Sequence, residues 1–169
     1  AVHGENAKDF KGADMKKILV ITTGGTIACG SRENGLNPEI GGQRLAEGLS
    51  PKNCEVRFLD LFSVDSTDIS PSHWEKLNSA INSAKGFDGV IVLHGTDTLE
   101  YTAAILSITA RRDIPVIITG SMIPMEADGS DAPQNLSDSF AAACSEKLAG
   151  VHVVFCGHVI PGNLAVKKS

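Results

Sequence analysis

Two short apolar runs, each followed at once by glycine and hydroxyl-bearing residues, constrain the fold of this chain most strongly. The first, Ile18–Ile21, leads into the sequence TTGGT, and the second, Val90–Leu93, leads into HGTDT. Continuous apolar runs of this length are typical of strands that are buried on both faces of a sheet. Glycine lets the backbone approach a neighbouring group closely. The pattern therefore predicts two buried strands whose ends present hydroxyl groups at one shared site.

The rest of the chain alternates apolar strands with helical patterns. Strands are predicted over residues 17–22, 55–62, 88–93, 115–119 and 151–156, and helices over residues 43–49, 71–84, 99–112 and 134–148. Ser70 and Pro71 form a helix start, Gly86 suits a helix end, and Arg112 would complement a helix macrodipole. The alternation predicts an α/β fold, a three-layer sandwich with a mainly parallel sheet flanked by helices on both faces.

Four loops with polar chemistry follow predicted strand ends. They are Thr23–Thr26, Asp65–Asp68, Gly95–Asp97 and Gly120–Met122. Ligands of open α/β sheets bind outside the carboxyl ends of the strands, so we expect these four loops to converge. Two of them belong to long loops, over residues 24–42 and 120–133, and loops of that length are often functional.

Length, composition and charge exclude several classes of protein. A chain of 169 residues with 42% hydrophobic residues is expected to form one globular domain with a sizeable core. Its formal net charge of −5 argues against a nucleic-acid or membrane-surface partner. No apolar run reaches the roughly 20 residues that a membrane span needs, and residues 1–14 lack the apolar core of a signal peptide. We expect a cytoplasmic domain over residues 15–169, after a native extension or cloning remnant over residues 1–14.

The four cysteines, at positions 29, 54, 144 and 156, do not have the spacing of a metal site. No CxxC pair is present, so zinc is not expected, and we predict no metal. Most of the cysteines are interpreted as small buried hydrophobic residues in a reducing compartment. Cys29 differs because it follows the first glycine turn, where partial exposure is expected.

Thr26 is open to more than one interpretation from its pattern alone. A hydroxyl at a strand end can bond within a turn or cap a helix, and it becomes a nucleophile only when a base lies nearby. A phosphate cradle is poorly supported, because the turn has neither G-x-G-x-x-G nor Gly-Lys-[Ser/Thr].

The other polar loops carry alternatives as well. Asp97 beside Thr96 can orient a base or bind a substrate ammonium, or Asp97 or Thr98 can cap the next helix. His94 is expected to be a hydrogen-bonded structural residue. The segment Asp65–Asp68 can bind an amino-acid head group or form a polar turn. Lys167, taken alone, is a solvated residue near the end of the chain.

The two glycine motifs together resemble the two signatures of the bacterial-type L-asparaginase family. They are Thr22–Ala28, with the sequence TTGGTIA, and Gly89–Thr98, with the sequence GVIVLHGTDT. Further agreement comes from Asp65–Thr67, from Ile118–Pro124 (ITGSMIP) and from Ser130–Leu136 (SDAPQNL). The resemblance runs from Met15 to Lys167 and is closest to the cytoplasmic, type I branch. The archaeal amidotransferase subunit that supplies ammonia for Gln-tRNA formation shares these motifs.

The resemblance implies hydrolysis of L-asparagine to L-aspartate and ammonia through an acyl-enzyme, with no cofactor. Thr26 matches the nucleophile, and Thr96, Asp97 and Lys167 match a second catalytic set in which a buried Lys167 acts as base. Ser66 and Asp97 match residues that hold the substrate's α-carboxylate and α-amino groups. The implied substrate-binding set is Asp65, Ser66, Thr67, Gly95, Thr96, Asp97 and Ser121. The implied partners are L-asparagine or L-glutamine and, in the full-length protein, further copies of the same chain.

Three departures from the family pattern are present. Leu36 stands where the family often has a loop Tyr, and Leu164 stands where Arg is usual. Family chains are also about twice as long, because a C-terminal domain lends a Glu to a neighbouring subunit's site. We therefore expect an N-terminal catalytic domain that folds but hydrolyses asparagine weakly. The alternatives are the amidotransferase subunit and a catalytically silent Asn/Asp-binding domain.

Overall fold

Six strands form one sheet in the computed structural model, which describes residues 15–25, 51–125 and 127–168. They are β1 (Lys16–Thr22), β2 (Cys54–Asp60), β3 (Gly89–Leu93), β4 (Pro115–Thr119), β5 (Gly150–Phe155) and β6 (His158–Pro161). Their order across the sheet is β2-β1-β3-β4-β5-β6. All neighbours are parallel except β5 and β6, which are antiparallel. The predicted mainly parallel sheet is confirmed.

Helices cover both faces of this sheet. Within the described ranges they are α1 (Pro71–Asn82), α2 (Leu99–Thr109) and α3 (Ala132–Ala143). Alternate residues of the central strands point to opposite faces. Leu19 and Ile21 pack in the cluster that includes α1 and α2, whereas Ile18 and Val20 pack in the cluster that includes α3. The chain therefore forms the predicted three-layer arrangement, and the uninterrupted apolar runs reflect burial on both faces of the sheet.

The edge strands differ from the central ones in burial. Strands β3 and β4 are buried throughout, and β1 is buried from Ile18 onward. Strand β2 is the edge of the sheet in the described part of the chain and has exposed or half-buried residues throughout. The short strand β6 was not predicted from the sequence. It follows a tight turn in which Cys156 and Gly157 both have positive φ, so a four-residue strand folds back on β5.

Helix α2 ends three residues earlier than the sequence predicted. It stops at Thr109, and its last turn contains no basic residue. The backbone N–H of Arg111 donates to Asn82 Oδ1, and its guanidinium donates to the Ala84 carbonyl, so Arg111 joins the α1 side instead of continuing the helix. Arg112 still donates to the carbonyl of Ser107 from outside the helix, at 3.1 Å. The basic residue therefore satisfies a C-terminal carbonyl although the predicted boundary was wrong.

Helix α3 begins two residues before the predicted start and ends five residues before the predicted end. Pro133 lies in its first turn, where a missing N–H is tolerated. Cys144 forms its C-terminal cap, and residues 144–148 are outside the helix. The helix predicted over residues 43–49 lies outside the described residues.

Candidate active site

The strand-end loops meet through glycines that leave no room for a side chain. Gly25 has a φ of +83°, and a Cβ built on it would lie 2.5 Å from the backbone nitrogen of Gly95. A Cβ on Gly95 would in turn lie 2.6 Å from the Ser66 hydroxyl. The turn after β1 (the first turn) and the turn after β3 (the second turn) are therefore in backbone contact, and the loop after β2 reaches the second turn through the Ser66 side chain. The loop after β4 joins them, because a Cβ on Gly120 would lie 2.5 Å from the His94 carbonyl oxygen and 3.3 Å from Thr96 Cγ2. The expected convergence of the four loops is therefore seen among the described residues.

The hydroxyls of the first turn hold the turn in place. Thr23 Oγ1 donates to the Leu93 carbonyl at 2.9 Å, and Thr22 Oγ1 donates to Asp60 Oδ1 at 2.6 Å. Both threonines are buried. Buried hydroxyls with such partners belong to the scaffold. Thr26, the proposed nucleophile, lies outside the described residues, as do Cys29 and Leu36.

Thr96, Asp97 and Lys167 form a cluster at the second turn. Lys167 Nζ lies 3.0 Å from Asp97 Oδ1 and 3.4 Å from Thr96 Oγ1, although about 70 positions separate Lys167 from both residues. The cluster is open to solvent, since 57% of the Asp97 side chain and 36% of the Lys167 side chain are exposed. The burial that was expected to help Lys167 act as a base is therefore not present in the described part of the chain.

Ser66 connects the loop after β2 to the same turn. Its hydroxyl, which is buried, accepts a hydrogen bond from the backbone N–H of Asp97 at 3.3 Å. Its carbonyl accepts from Thr98 Oγ1 at 2.7 Å. Thr98 occupies the cap position of α2 but makes no side-chain capping bond. The alternative that Asp97 or Thr98 caps the helix is therefore not seen, since neither side chain forms a capping hydrogen bond.

Asp65 and Thr67 bind each other. Asp65 Oδ1 accepts from the backbone N–H of Thr67 at 2.9 Å and from its hydroxyl at 2.8 Å. The backbone hydrogen bond, with the hydroxyl bond second, lowers the pKa of Asp65. Both residues are exposed at the start of a single 3₁₀ turn, Ser66–Asp68. This geometry is that of a polar turn, the alternative that the sequence left open for the segment.

His94 lies beneath the second turn in a chain of hydrogen bonds. Its Nδ1 lies 2.7 Å from the Gly95 carbonyl, which only accepts, so Nδ1 carries the proton. Its Nε2 then accepts from Thr102 Oγ1 at 2.9 Å, and Thr102 Oγ1 accepts from Trp74 Nε1 at 2.9 Å. Burial lowers the pKa of His94, against the opposing effect of the Gly95 hydrogen bond. The expectation of a hydrogen-bonded structural histidine is confirmed.

The loop after β4 is held by two residues to which the sequence analysis gave no role. Asp131 accepts hydrogen bonds from the backbone N–H groups of Met122 and Ile123, at about 3 Å. Asn135 is buried on α3 and donates to the Gly120 carbonyl and to Asp131. The available signal for Asn135 was an amide side chain on a helix face whose other residues are mostly apolar.

Ser121, a predicted substrate-binding residue, lies at the start of that loop. It is only 2% exposed, and its hydroxyl has no hydrogen-bond partner among residues 15–25, 51–125 and 127–168. A buried hydroxyl without a partner is unfavourable, so this group is available for a bond to a ligand or to a part of the chain outside those ranges.

A cavity of about 340 Å³ adjoins the cluster. Thr96 and Lys167 line it, and most of its remaining wall is apolar, including Leu99, Met122, Phe155, Ile160 and Val166. Asp65, Ser66 and Ser121 are not among its lining residues. The cavity therefore extends from the Lys167 side of the cluster and does not unite the whole predicted site.

The described residues contain neither a metal cluster nor a membrane-spanning helix. No group of three or more His, Cys, Asp or Glu side chains is arranged to hold a metal ion there. Within the same ranges, none of the helices has the length and apolar character required to cross a bilayer.

Comparison with known proteins identifies the family. Residues 17–169 match the family model described as "Asparaginase, N-terminal". The L-asparaginase of Thermococcus kodakarensis is 35% identical over 156 residues, which are 89% of this chain and 47% of that protein. A glutamyl-tRNA(Gln) amidotransferase subunit from Methanobrevibacter smithii is 34% identical over 163 residues, which are 91% of this chain and 37% of that one.

A solved structure agrees with this match. The structure of a probable cytoplasmic L-asparaginase from Campylobacter jejuni superimposes with a TM-score of 0.81 at 29% identity, covering 90% of this chain and 49% of that one. The chain thus spans about half the length of the asparaginases that it matches. Because the family model covers nearly the whole sequence, the chain belongs to the asparaginase family and corresponds to its N-terminal region.

Proposed function

We propose that this chain carries the threonine-based site of an amidohydrolase that converts L-asparagine to L-aspartate and ammonia. The observation that carries the proposal is the cluster of Thr96, Asp97 and Lys167, whose side chains meet within 3.4 Å across about 70 positions of sequence. A hydroxyl, a carboxylate and an amine in contact at the carboxyl end of a parallel sheet are suited to acyl transfer.

The proposed reaction has two steps. The hydroxyl of Thr26 attacks the side-chain amide carbon of asparagine, the C–N bond breaks, and ammonia leaves with a proton. The resulting ester is then hydrolysed by water, which releases aspartate and restores the hydroxyl. Gly25 joins Thr26 to the second turn through its contact with Gly95, which supports placing the nucleophile near the cluster.

The residues of the second turn take separate roles in this proposal. Lys167 is the proposed base: it accepts the proton of the attacking hydroxyl through the Thr96 hydroxyl, 3.4 Å away, and the same route returns it to the leaving ammonia. Asp97 pairs with Lys167 through Oδ1, which leaves Oδ2 to attract the α-ammonium group of the substrate. Ser66 positions the turn by binding the Asp97 backbone. The Ser121 hydroxyl, buried without a partner among the described residues, is a further candidate for a substrate contact.

The experiment compares ammonia release from L-asparagine by the 169-residue chain and by two threonine variants. Thr26→Ala should abolish release, whereas Thr109→Ala, a control on the exposed end of α2, should leave it unchanged. Circular dichroism should show the same fold in all three proteins. We expect weak turnover in the unaltered chain, because general acid–base groups contribute about 10²–10⁴-fold each and the relatives are about twice as long.

Acid-quenched samples taken during turnover provide a second readout. Peptide mapping should find an aspartyl ester on Thr26, which would be missing in Thr26→Ala. Undiminished turnover in Thr26→Ala would contradict the assignment of the nucleophile. Binding of L-aspartate without any turnover, unaffected by Thr26→Ala, would instead support the catalytically silent binding domain.

A second candidate is the role of an amidotransferase subunit. It is favoured by the match to the glutamyl-tRNA(Gln) amidotransferase of Methanobrevibacter smithii, which covers 91% of this chain. The two functions differ in their dependence on tRNA. Ammonia release that rises strongly when glutamyl-tRNA(Gln) and the partner subunit of that enzyme are added would favour the amidotransferase, and release from free L-asparagine that is indifferent to them would favour the asparaginase.

A further inference from the structure

Two thiols meet at the end of the sheet opposite to the candidate active site. Cys54 begins β2 and lies beside Lys16 of β1 in parallel register, and Cys144 caps the C-terminal end of α3. Their sulfur atoms are 2.9 Å apart although the residues are 90 positions apart in the chain. Both are free cysteines and half-buried.

The contact arises from the packing of the edge strand against a helix. Both cysteines pack against the apolar cluster on the α3 side of the sheet. Next to them, Lys16 Nζ pairs with Glu146 Oε1 at 3.4 Å, which joins the same two parts of the chain. Backbone hydrogen bonds hold each cysteine, from Cys54 to the carbonyl of Pro51 and from Cys144 to that of Phe140, both at 3.0 Å. The thiols are therefore held together by elements that are fixed independently of either sulfur atom.

We propose that Cys54 and Cys144 form an oxidisable dithiol site, which a low-molecular-weight disulfide converts to an intrachain disulfide. One cysteine thiolate attacks a sulfur of the small disulfide, whose S–S bond breaks and releases one small thiol. The second cysteine thiolate then attacks the cysteine sulfur of this mixed disulfide and releases the second small thiol. The protein loses two electrons and two thiol protons, and the small disulfide is reduced to two thiols.

The geometry favours closure of this bond. A disulfide has an S–S length of about 2.03–2.05 Å, so the two sulfur atoms need to approach by only about 1 Å. No other residue has to leave the space between them, because the sulfur atoms are already in contact. Closure would join the edge strand β2 to α3 across the intervening chain.

The two thiols are not equivalent. Burial raises the pKa of Cys144 to about 12, with the hydrogen bond to Cys54 as the next cause and the charge of Lys16 acting in the opposite direction. Because the thiolate is the attacking species, Cys144 reacts slowly with an external disulfide. We therefore assign Cys54 the first attack and Cys144 the resolution of the mixed disulfide, a step that the contact between the two sulfur atoms makes intramolecular.

The experiment incubates the purified 169-residue chain with oxidised glutathione and follows its intact mass and tryptic peptides under non-reducing conditions. We expect the loss of two hydrogens and one cross-linked peptide pair containing Cys54 and Cys144. In Cys144→Ser the glutathione adduct should persist on Cys54, and in Cys54→Ser the adduct on Cys144 should form at least about tenfold more slowly, since thiolate availability limits the attack. The controls Cys156→Ser and Cys29→Ser should cross-link like the unaltered chain.

A thermal unfolding measurement gives a readout that does not depend on the variants. The oxidised chain should melt about 5–10 °C above the reduced chain, because the cross-link restricts the unfolded state over a long loop. A cross-link through Cys156 or Cys29 would overturn the proposal. So would glutathione adducts that accumulate on the unaltered chain without loss of two hydrogens.

Discussion

The turns after β1 and β3 share a sequence design, yet the structure uses their polar groups differently. After β1, the hydroxyls of Thr22 and Thr23 are buried and bound to protein oxygen atoms. After β3, 57% of the Asp97 side chain is exposed, where it meets Lys167. A buried hydroxyl must find its partner inside the protein, whereas an exposed charged group can exchange its partner for a ligand. Burial therefore distinguishes the structural hydroxyls of the first turn from the candidate functional groups of the second turn. The sequence pattern does not encode this difference.

The two turns also depend on each other. The positive φ of Gly25 brings its Cα against the backbone of Gly95, and Gly95 lies against the Ser66 hydroxyl. A change in the first turn should therefore displace the backbone of the second turn, because the two turns touch through main-chain atoms and side-chain repacking cannot relieve that contact. This dependence can be tested at four positions, of which the first is the contact itself.

Gly25→Ala should have the largest effect on stability. Its Cβ would lie 2.5 Å from the Gly95 nitrogen, in a left-handed conformation, so strain and backbone overlap together should lower the free energy of unfolding by about 2–5 kcal/mol. Gly86→Ala is the matched control, since Gly86 has a φ of +81° but no atom within 4 Å of a Cβ. That variant should lose only about 1 kcal/mol. Urea unfolding measures both, and equal losses would show that the contact between the turns is unimportant.

Lys167→Met should lower the activity of the second turn without a comparable loss of stability. If Lys167 is the base of the proposed reaction, the rate of ammonia release should fall about 10²–10⁴-fold. Stability should change by less than about 1 kcal/mol, since both side chains of the ion pair with Asp97 are partly exposed to solvent. Lys147→Met, at an exposed position that does not line the cavity, is the control and should retain its activity. A similar loss in both variants would remove the distinction between the two lysines.

Thr23→Val should disturb the first turn without removing any group of the cluster. Its hydroxyl donates to the Leu93 carbonyl, which also accepts the Thr23 backbone N–H. Loss of this one buried hydrogen bond should lower the free energy of unfolding by about 1 kcal/mol. Thr109→Val, whose hydroxyl bonds only within its own exposed helix turn, should change stability by less than half as much. A loss of several kcal/mol in Thr23→Val would mean that the hydroxyl does more than fix the turn.

Much of the fold followed from the sequence because its signals are local. The apolar run Val90–Leu93 is buried on both faces, and the strand predicted over residues 115–119 has the observed bounds. Helix ends were less predictable, because distant partners decide them. Arg111 leaves the end of α2 for Asn82 and Ala84 on the α1 side, and no pattern near residue 111 indicates this.

In the candidate site, too, local motifs were predictable from the sequence and contacts between distant residues were not. The turns with Gly25 and Gly95 were recognisable from their motifs, but the approach of Lys167 to Asp97 was expected only from a family resemblance. Nothing in the residues around Lys167 distinguishes it from a solvated lysine, because its partners are about 70 positions away. The contact between Cys54 and Cys144 was not predicted for the same reason, since it depends on the packing of α3 against the edge of the sheet.

The smallest predicted effect concerns the support beneath the second turn. Burial lowers the pKa of His94, so the folded state binds fewer protons than the unfolded state as the pH decreases below about 6.5, the ordinary value. Stability rises with pH where the unfolded state binds more protons, so the free energy of unfolding should be constant above that pH and decrease below it. The slope is at most about 1.4 kcal/mol per pH unit for one group.

Trp74, the single tryptophan of the protein, belongs to the same series of hydrogen bonds as His94. Its fluorescence therefore reports unfolding around the buried histidine. Urea unfolding between about pH 7.5 and 5.5 lies above the range in which Asp65, whose pKa is lowered, takes up a proton. The slope of the free energy of unfolding against pH should be smaller in His94→Gln and unchanged in the exposed control His158→Gln. A slope that persists in His94→Gln would assign the pH dependence to another group.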